Sequence, residues 1–207
     1  MSTMSGHAGG MARPVRETHH SKIGRVLFGS VTASLVWLVI RLYLGYEWVH
    51  AALDKLGNPA WTGAKAGTAL QGFVAAAIKK SAGQHASVQS WYASFLQHAV
   101  LPHAALWSYF VSFGELLVGV ALIIGLFTGI AAFAGAFMNV NYLMAGTVST
   151  NPILLILAIL VVVAWKTAGW IGLDRLVLPR LGTPWSPGSL FRKDEGGAGR
   201  ARRAPVG

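Results

Sequence analysis

Residues 106–127 make an apolar run long enough to cross a bilayer as a helix, and one carboxylate, Glu115, lies well inside it. A charged side chain at the centre of a bilayer costs about 2.5–3.5 kcal/mol on insertion scales, so it faces a partner or a wet cavity. The same conflict occurs twice more. Arg41 interrupts an apolar run at 31–52, and Asn139 and Asn141 interrupt another at 130–148. An acid, a base and two amides at lipid depth mark where function is to be sought.

Composition agrees with a bilayer as the solvent. Only 12% of the 207 residues are charged, against about 25% in soluble domains, and mean hydropathy is +0.51. The length fits one domain. A net charge of +10 raises the question of nucleic acid, but the basic residues lie mainly towards the two ends of the chain. Arg13, Arg16, Lys22 and Arg25 precede the first span; Arg175, Arg180, Arg192, Lys193, Arg200, Arg202 and Arg203 follow the last. That is the positive-inside pattern, with anionic lipids as the counter-charge and no nucleic-acid partner. The absence of cysteine excludes a disulfide relay, a thiolate-bound metal and an Fe–S cluster held by the chain's own thiols.

Four spans are expected, near 31–52, 106–127, 130–148 and 152–168. The fold class is an all-α, four-transmembrane-helix bundle. Residues 1–30 read as a disordered basic cytoplasmic tail, in which His7, His19 and His20 are mobile rather than metal-binding. Residues 169–207 read as a second basic cytoplasmic tail. The segment 53–106 is more polar, and within it 70–78 and 88–100 look like short amphipathic helices lying at the interface. Trp61, Trp91, Tyr92, Trp107 and Tyr109 suit headgroup level. The short connections at 128–129 and 149–151 carry no Lys or Arg. Both termini are therefore expected in the cytoplasm, with 53–106 as an extracytoplasmic helical loop. Thr128-Gly129 is expected to turn the chain, and Asn151-Pro152 to start a helix with Asn151 as cap.

Helical spacing sorts the polar residues into stripes. Ser108, Ser112, Glu115 and Gly119 share one face; Ala131, Gly135, Asn139, Tyr142 and Gly146 share another; Ser34, Arg41, Gly45 and Trp48 a third. Small and polar stripes let membrane helices approach and join. At ~1.5 Å per residue, Arg41 and Glu115 fall at similar depth, so an Arg41–Glu115 ion pair with Asn139 nearby is expected. Such a network either fixes helix register or handles protons, and both readings stay open. Glu47, His50 and Asp54 line one helical face near the outer surface, as a solvated cap or as a proton entry point. No strong metal-ligand spacing is present, so no metal site is assigned. His85, His98 and His103 lie in the loop and none lies deep in a span, which argues against haem ligation.

The motifs FGELLVG at 113–119, GLFTG at 125–129, GAFMNVNYLMAG at 135–146, Asn151-Pro152 and GLDRL at 172–176 resemble the DoxX-like (DoxD-like) membrane proteins. So does 45–61, with DKL at 54–56 and NPAW at 58–61. The resemblance covers about 30–180. It implies a multi-pass protein of the bacterial plasma membrane, and some relatives are subunits of a thiosulfate:quinone oxidoreductase. The expected function is an integral membrane subunit of a quinone-linked redox system, an oxidoreductase subunit acting with partner proteins. Quinone is the implied cofactor. Glu115 is the candidate catalytic residue, and Arg41, Asn139, Asn141 and Tyr142 the candidate quinone-binding residues. Two alternatives stay open: a non-enzymatic scaffold or assembly subunit, and a small-molecule transporter, for which an inverted repeat is not evident.

Overall fold

The computed structural model describes residues 30–183. Of the stretches read as basic cytoplasmic tails, 1–30 and 169–207, residues 1–29 and 184–207 lie outside the described residues, while 169–183 are described and contain the last helix. Residues 30–183 are largely helical, with no strand among them. The helices are α1 (Ser34–Leu56), α2 (Pro59–Thr62), α3 (Thr68–Lys79), α4 (Ser90–Phe95), α5 (Ala104–Ile124), α6 (Thr128–Met144), α7 (Asn151–Val163), α8 (Trp165–Ala168) and α9 (Asp174–Arg180).

Four long helices carry the core. α1 packs along α5, α5 on α6, α6 along α7, and α7 back on α1. Much of what they bury is small or polar. α1 turns Ser34, Trp37, Arg41, Leu44, Gly45, Trp48 and Ala52 inward, at helical three- and four-residue steps. α5 buries Ser108, Ser112, Glu115, Val118, Gly119 and Leu122 on its inner face, and α6 buries Ala131, Ala132, Gly135, Ala136 and Asn139. Large apolar side chains point out: Leu117, Ile130, Phe133, Phe137 and Val163 are 62–72% exposed. α1 and α5 meet at glycine. A methyl group on Gly119 would sit 2.7 Å from the Val49 amide nitrogen, and one on Gly45 would sit 2.9 Å from the Gly119 carbonyl. Only glycine admits that approach.

By length and composition, one helical run, Ser90–Ile124, is long and apolar enough to cross a membrane; Asn151–Val163 is apolar but short. That long run contains α4 and α5 joined by a π turn, Leu96–Val100, and a 3₁₀ turn, Leu101–His103. Pro102 supplies no N–H, so the regular α ladder yields there.

Helices occupy both stretches read as amphipathic. With α2 they form a cap whose own apolar core contains Leu70, Val74, Val88, Tyr92, Leu96 and Val100. Ala145, just past α6, joins that core. The cap is stitched to α5 by hydrogen bonds: Ser108 Oγ donates to the Trp61 carbonyl at 2.5 Å, and Tyr109 Oη to the Thr62 carbonyl at 2.7 Å.

Two connections differ from the sequence reading. The α5–α6 turn is made by Gly125 and Phe127, at φ +67° and +49°, while Thr128 and Gly129 already belong to α6. Left-handed Gly125 ends α5 because it bears no Cβ. Asn151 does not cap α7: it is the first helical residue, and its side-chain amide donates to the Thr147 carbonyl at 3.0 Å. Pro152 occupies the first turn, as its spacing predicts.

Candidate functional site

The register of α1 against α5 decides which polar residues meet. The helices run antiparallel with Gly45 against Gly119, so Arg41, four residues earlier, lies level with residues just past Gly119. Glu115 lies on the other side of that contact, about 12 Å along the axis at ~1.5 Å per residue. The expected Arg41–Glu115 pair is therefore not formed. Depth measured separately from two span ends cannot resolve an offset of two turns.

Each charge has other company. Arg41 Nη2 donates to the Ile171 carbonyl at 2.6 Å, and the Asp174 carboxylate offsets its charge. Asp174 itself is buried and accepts from the amides of Phe127 at 2.5 Å and Thr128 at 2.9 Å. It thus satisfies donors at the start of α6. This cluster ties the GLDRL segment to the α5–α6 turn.

Glu115, 1% exposed, sits near the cap. Lys55 Nζ lies 2.7 and 3.0 Å from its two oxygens, and Tyr142 Oη donates to Oε1 at 2.6 Å. Lys55 is also over the Trp61 ring, 5.2 Å from its centroid. Ammonium, carboxylate and phenol form a continuous charge-assisted chain.

That chain lines a cavity of about 330 Å³. Trp48, Phe73 and Asn139 complete its inner wall, Glu47 lies at one side, and Thr147, Ser149 and Thr150 stand at its mouth. Two of these residues have polar atoms with no partner. Asn139 is fully buried with neither its amide nitrogen nor its oxygen hydrogen-bonded, and the buried Trp48 Nε1–H is likewise unpaired. Trp48 Nε1 packs against α6, where a methyl group on Gly135 would sit 3.0 Å away. Buried polar groups are nearly always satisfied, so an unpaired one on a residue lining a cavity, as at Asn139, is a candidate contact for a ligand or water.

A second cavity, about 250 Å³, abuts the first and shares Leu70, Phe73, Val111 and Tyr142 with it. Its lining is otherwise aromatic and aliphatic, with Tyr92 and Asn141 as further polar members. Both of those are already engaged. Tyr92 Oη is 3.1 Å from the Asn141 backbone carbonyl and from its Oδ1, and Asn141 Nδ2 donates to the Phe137 carbonyl at 2.8 Å.

Of the residues singled out from sequence, Glu115, Asn139 and Tyr142 thus surround one polar cavity. Asn141 faces the adjoining apolar cleft, and Arg41 stands with Asp174 elsewhere. Glu47 reaches the polar cavity, but His50 and Asp54 point outward, 3.6 Å from each other and mostly exposed. Among the described residues no group of three His, Cys, Asp or Glu side chains could hold a metal ion. Sequence reasoning missed Lys55 and passed over Trp48 as a donor. Both are legible in the spacing: Trp48, Ala52 and Lys55 continue the inward stripe of α1 at steps of four and three, whereas ending the first span at 52 puts Lys55 in the loop.

Residues 37–186, most of the chain, match the family model described as TQO small subunit DoxD. The chain belongs to the DoxD family. This is a membrane-associated family whose name ties it to thiosulfate:quinone oxidoreductase. No curated protein and no solved structure matches the chain significantly.

Within this DoxD chain the polar cavity fits a quinone ring chemically. Ring carbonyls accept hydrogen bonds, and the unpaired Asn139 Nδ2–H, on a residue lining the cavity, is a donor of the type they need. Phe73, Leu70, Val111 and Leu154 offer apolar surface to the ring, and the volume lies in the range of small-molecule sites.

Proposed function

We propose that this DoxD chain is a multi-pass subunit of the bacterial plasma membrane that binds quinone in the polar cavity and delivers protons to it. The observation that carries this reading is the pair of unpaired buried donors, on Trp48 and Asn139, beside the Lys55–Glu115–Tyr142 chain. Quinone reduction consumes two electrons and two protons. The electrons come from a partner subunit or from a bound substrate, and a chain without cysteine offers no thiol-based redox centre of its own. The chain's own residues bind and protonate. Asn139 orients the ring; Lys55 and Tyr142 hold exchangeable protons that the Glu115 carboxylate relays; the hydroxyl-lined mouth at 147–150 admits water.

The inside-out distribution supports four spans: α1, α5 and α6 bury glycine, alanine or serine at their contacts, and the four long helices expose leucine, isoleucine, valine and phenylalanine. A soluble bundle would do the opposite; lipid makes this arrangement stable. The basic ends of the chain favour cytoplasmic termini on anionic lipid, which puts the cap and the cavity mouth outside.

The test is quinone binding and reduction in reconstituted membranes with candidate partners present. Glu115→Gln should retain most of the affinity and lose proton-coupled turnover. Asn139→Leu should weaken binding, since it deletes a contact worth about 0.5–1.5 kcal/mol. Wild-type protein that binds no quinone under these conditions would leave the reading without support, and the scaffold alternative would replace it.

A further inference from the structure

The two abutting cavities differ in one chemical respect. The polar one is lined by Asn139, whose amide nothing in the protein uses; the lining of the apolar one holds no such unused donor. Tyr92 and Asn141 satisfy each other and the α6 backbone, and the Tyr142 hydroxyl is committed to Glu115. An occupant of the apolar cleft therefore gains nothing from polar atoms, and an occupant of the polar cavity needs them. One molecule meets both demands if it is an amphiphile, with a hydrogen-bond-accepting ring on one side of the Phe73–Tyr142 wall and a hydrocarbon chain on the other.

The cleft also has a way in. Phe110 and Phe137 stand at its rim, each 63% exposed, on the flank where α5 and α6 turn their large apolar side chains outward. The polar residues at 147–150 line the other cavity and not this cleft. We infer that the cleft between Phe95, Phe110 and Phe137 is the seat of the isoprenoid chain and the lateral entry from the bilayer, with the ring passing inward to Asn139. This rests on the quinone reading of the polar cavity. It adds the direction of approach and the specificity element: the protein selects a membrane-resident, chain-bearing quinone over a water-soluble ring. Because lipid already solvates the chain, selection comes from packing against these rings rather than from escape from water.

Two probes separate the claims: a benzoquinone carrying a ten-carbon alkyl chain, and the same ring without a chain. Both are titrated against the full-length protein in lipid nanodiscs. A third probe bears a diazirine at the chain terminus. The expected result is that both rings bind, the chain-bearing one tighter. The variant Phe110→Ala/Phe137→Ala, altered only at exposed rim positions, should lose about fivefold affinity for the chain-bearing quinone and none for the bare ring. The diazirine should label α4 and α5 around Phe95 and Phe110. If both rings bind with no selective loss, and labelling falls at 147–151, the chain leaves through the polar mouth and the inference is overturned while the quinone reading stands. If a phospholipid co-purifies in the cleft and the chain-bearing quinone does not displace it, the inference is likewise wrong. If neither ring binds, the quinone reading itself fails.

Discussion

Replacing Lys55 with methionine tests the site at its most charged point. The change keeps the length of the stem and removes the ammonium 2.7 Å from Glu115. Glu115 is 1% exposed and retains only the Tyr142 hydroxyl, so the loss should be about 3–5 kcal/mol, the usual cost of stripping a buried ion of its partner. The opposite deletion should hurt less. In Glu115→Leu the lysine is stranded, but its side chain is 18% exposed and Nζ already reaches the Ala51 carbonyl at 3.3 Å. It can swing towards the mouth, which limits the loss to about 1–3 kcal/mol. In Lys55→Met/Glu115→Leu no charge remains, and the main deficit is the acceptor of Tyr142, about 1–2 kcal/mol. The double variant should therefore be more stable than Lys55→Met alone, with a coupling of about 2 kcal/mol or more. Reversible unfolding in mixed micelles, or steric trapping in bicelles, measures all four corners of the cycle. A coupling below about 0.5 kcal/mol, or a Glu115→Leu loss larger than that of Lys55→Met, would refute the pairing.

At the other end of the bundle, Asp174→Ala deprives the Phe127 and Thr128 amides of their acceptor and leaves Arg41 without its counter-charge. Thermal unfolding in detergent should show a loss of about 3 kcal/mol, with Asp174→Asn retaining part of it; equal stability of Asp174→Ala and wild type would count against the clasp. Gly119→Leu forces α1 away from α5, because its Cβ would meet the Val49 amide at 2.7 Å. It should cost about 3 kcal/mol in the same assay, and a silent change would mean that the helices do not touch there. For topology, impermeant thiol reagents should label Ala66→Cys from outside and Gly197→Cys from inside in a chain with no native cysteine; the reverse pattern would invert the orientation.

The stripes were legible because they obey the period of the helix. Ser108, Ser112, Glu115 and Gly119 are inward as their spacing predicts, and so are Gly135 and Asn139. The partners were not legible, because a pairing depends on axial register, and register is set by contacts such as Gly45 on Gly119 that no single-helix pattern encodes. The cap had the same limit. Its helices show in the sequence as amphipathic pieces, but that Tyr92 would reach Asn141 across the end of α6 depends on how the cap sits on the bundle.

Both polar clusters contain buried donors without partners, yet they answer to different causes. At Arg41 the guanidinium presses on two glycines: a methyl group on Gly125 or Gly172 would fall within 2.6 Å of Nη1. Its unpaired Nε and Nη1 are held by backbone packed tightly against them, and the fit serves to lock α9 onto the α5–α6 turn. At Asn139 the unpaired amide belongs to a residue lining a cavity of about 330 Å³, beside the Lys55–Glu115 ion pair. A protein that needed only structural glue at that depth would satisfy the amide or replace it with leucine, because an orphaned buried amide costs about 1–3 kcal/mol. Keeping it unsatisfied in an open cavity is what a binding site requires, and filling the space in Asn139→Leu should leave the ligand-free protein as stable as wild type or more so.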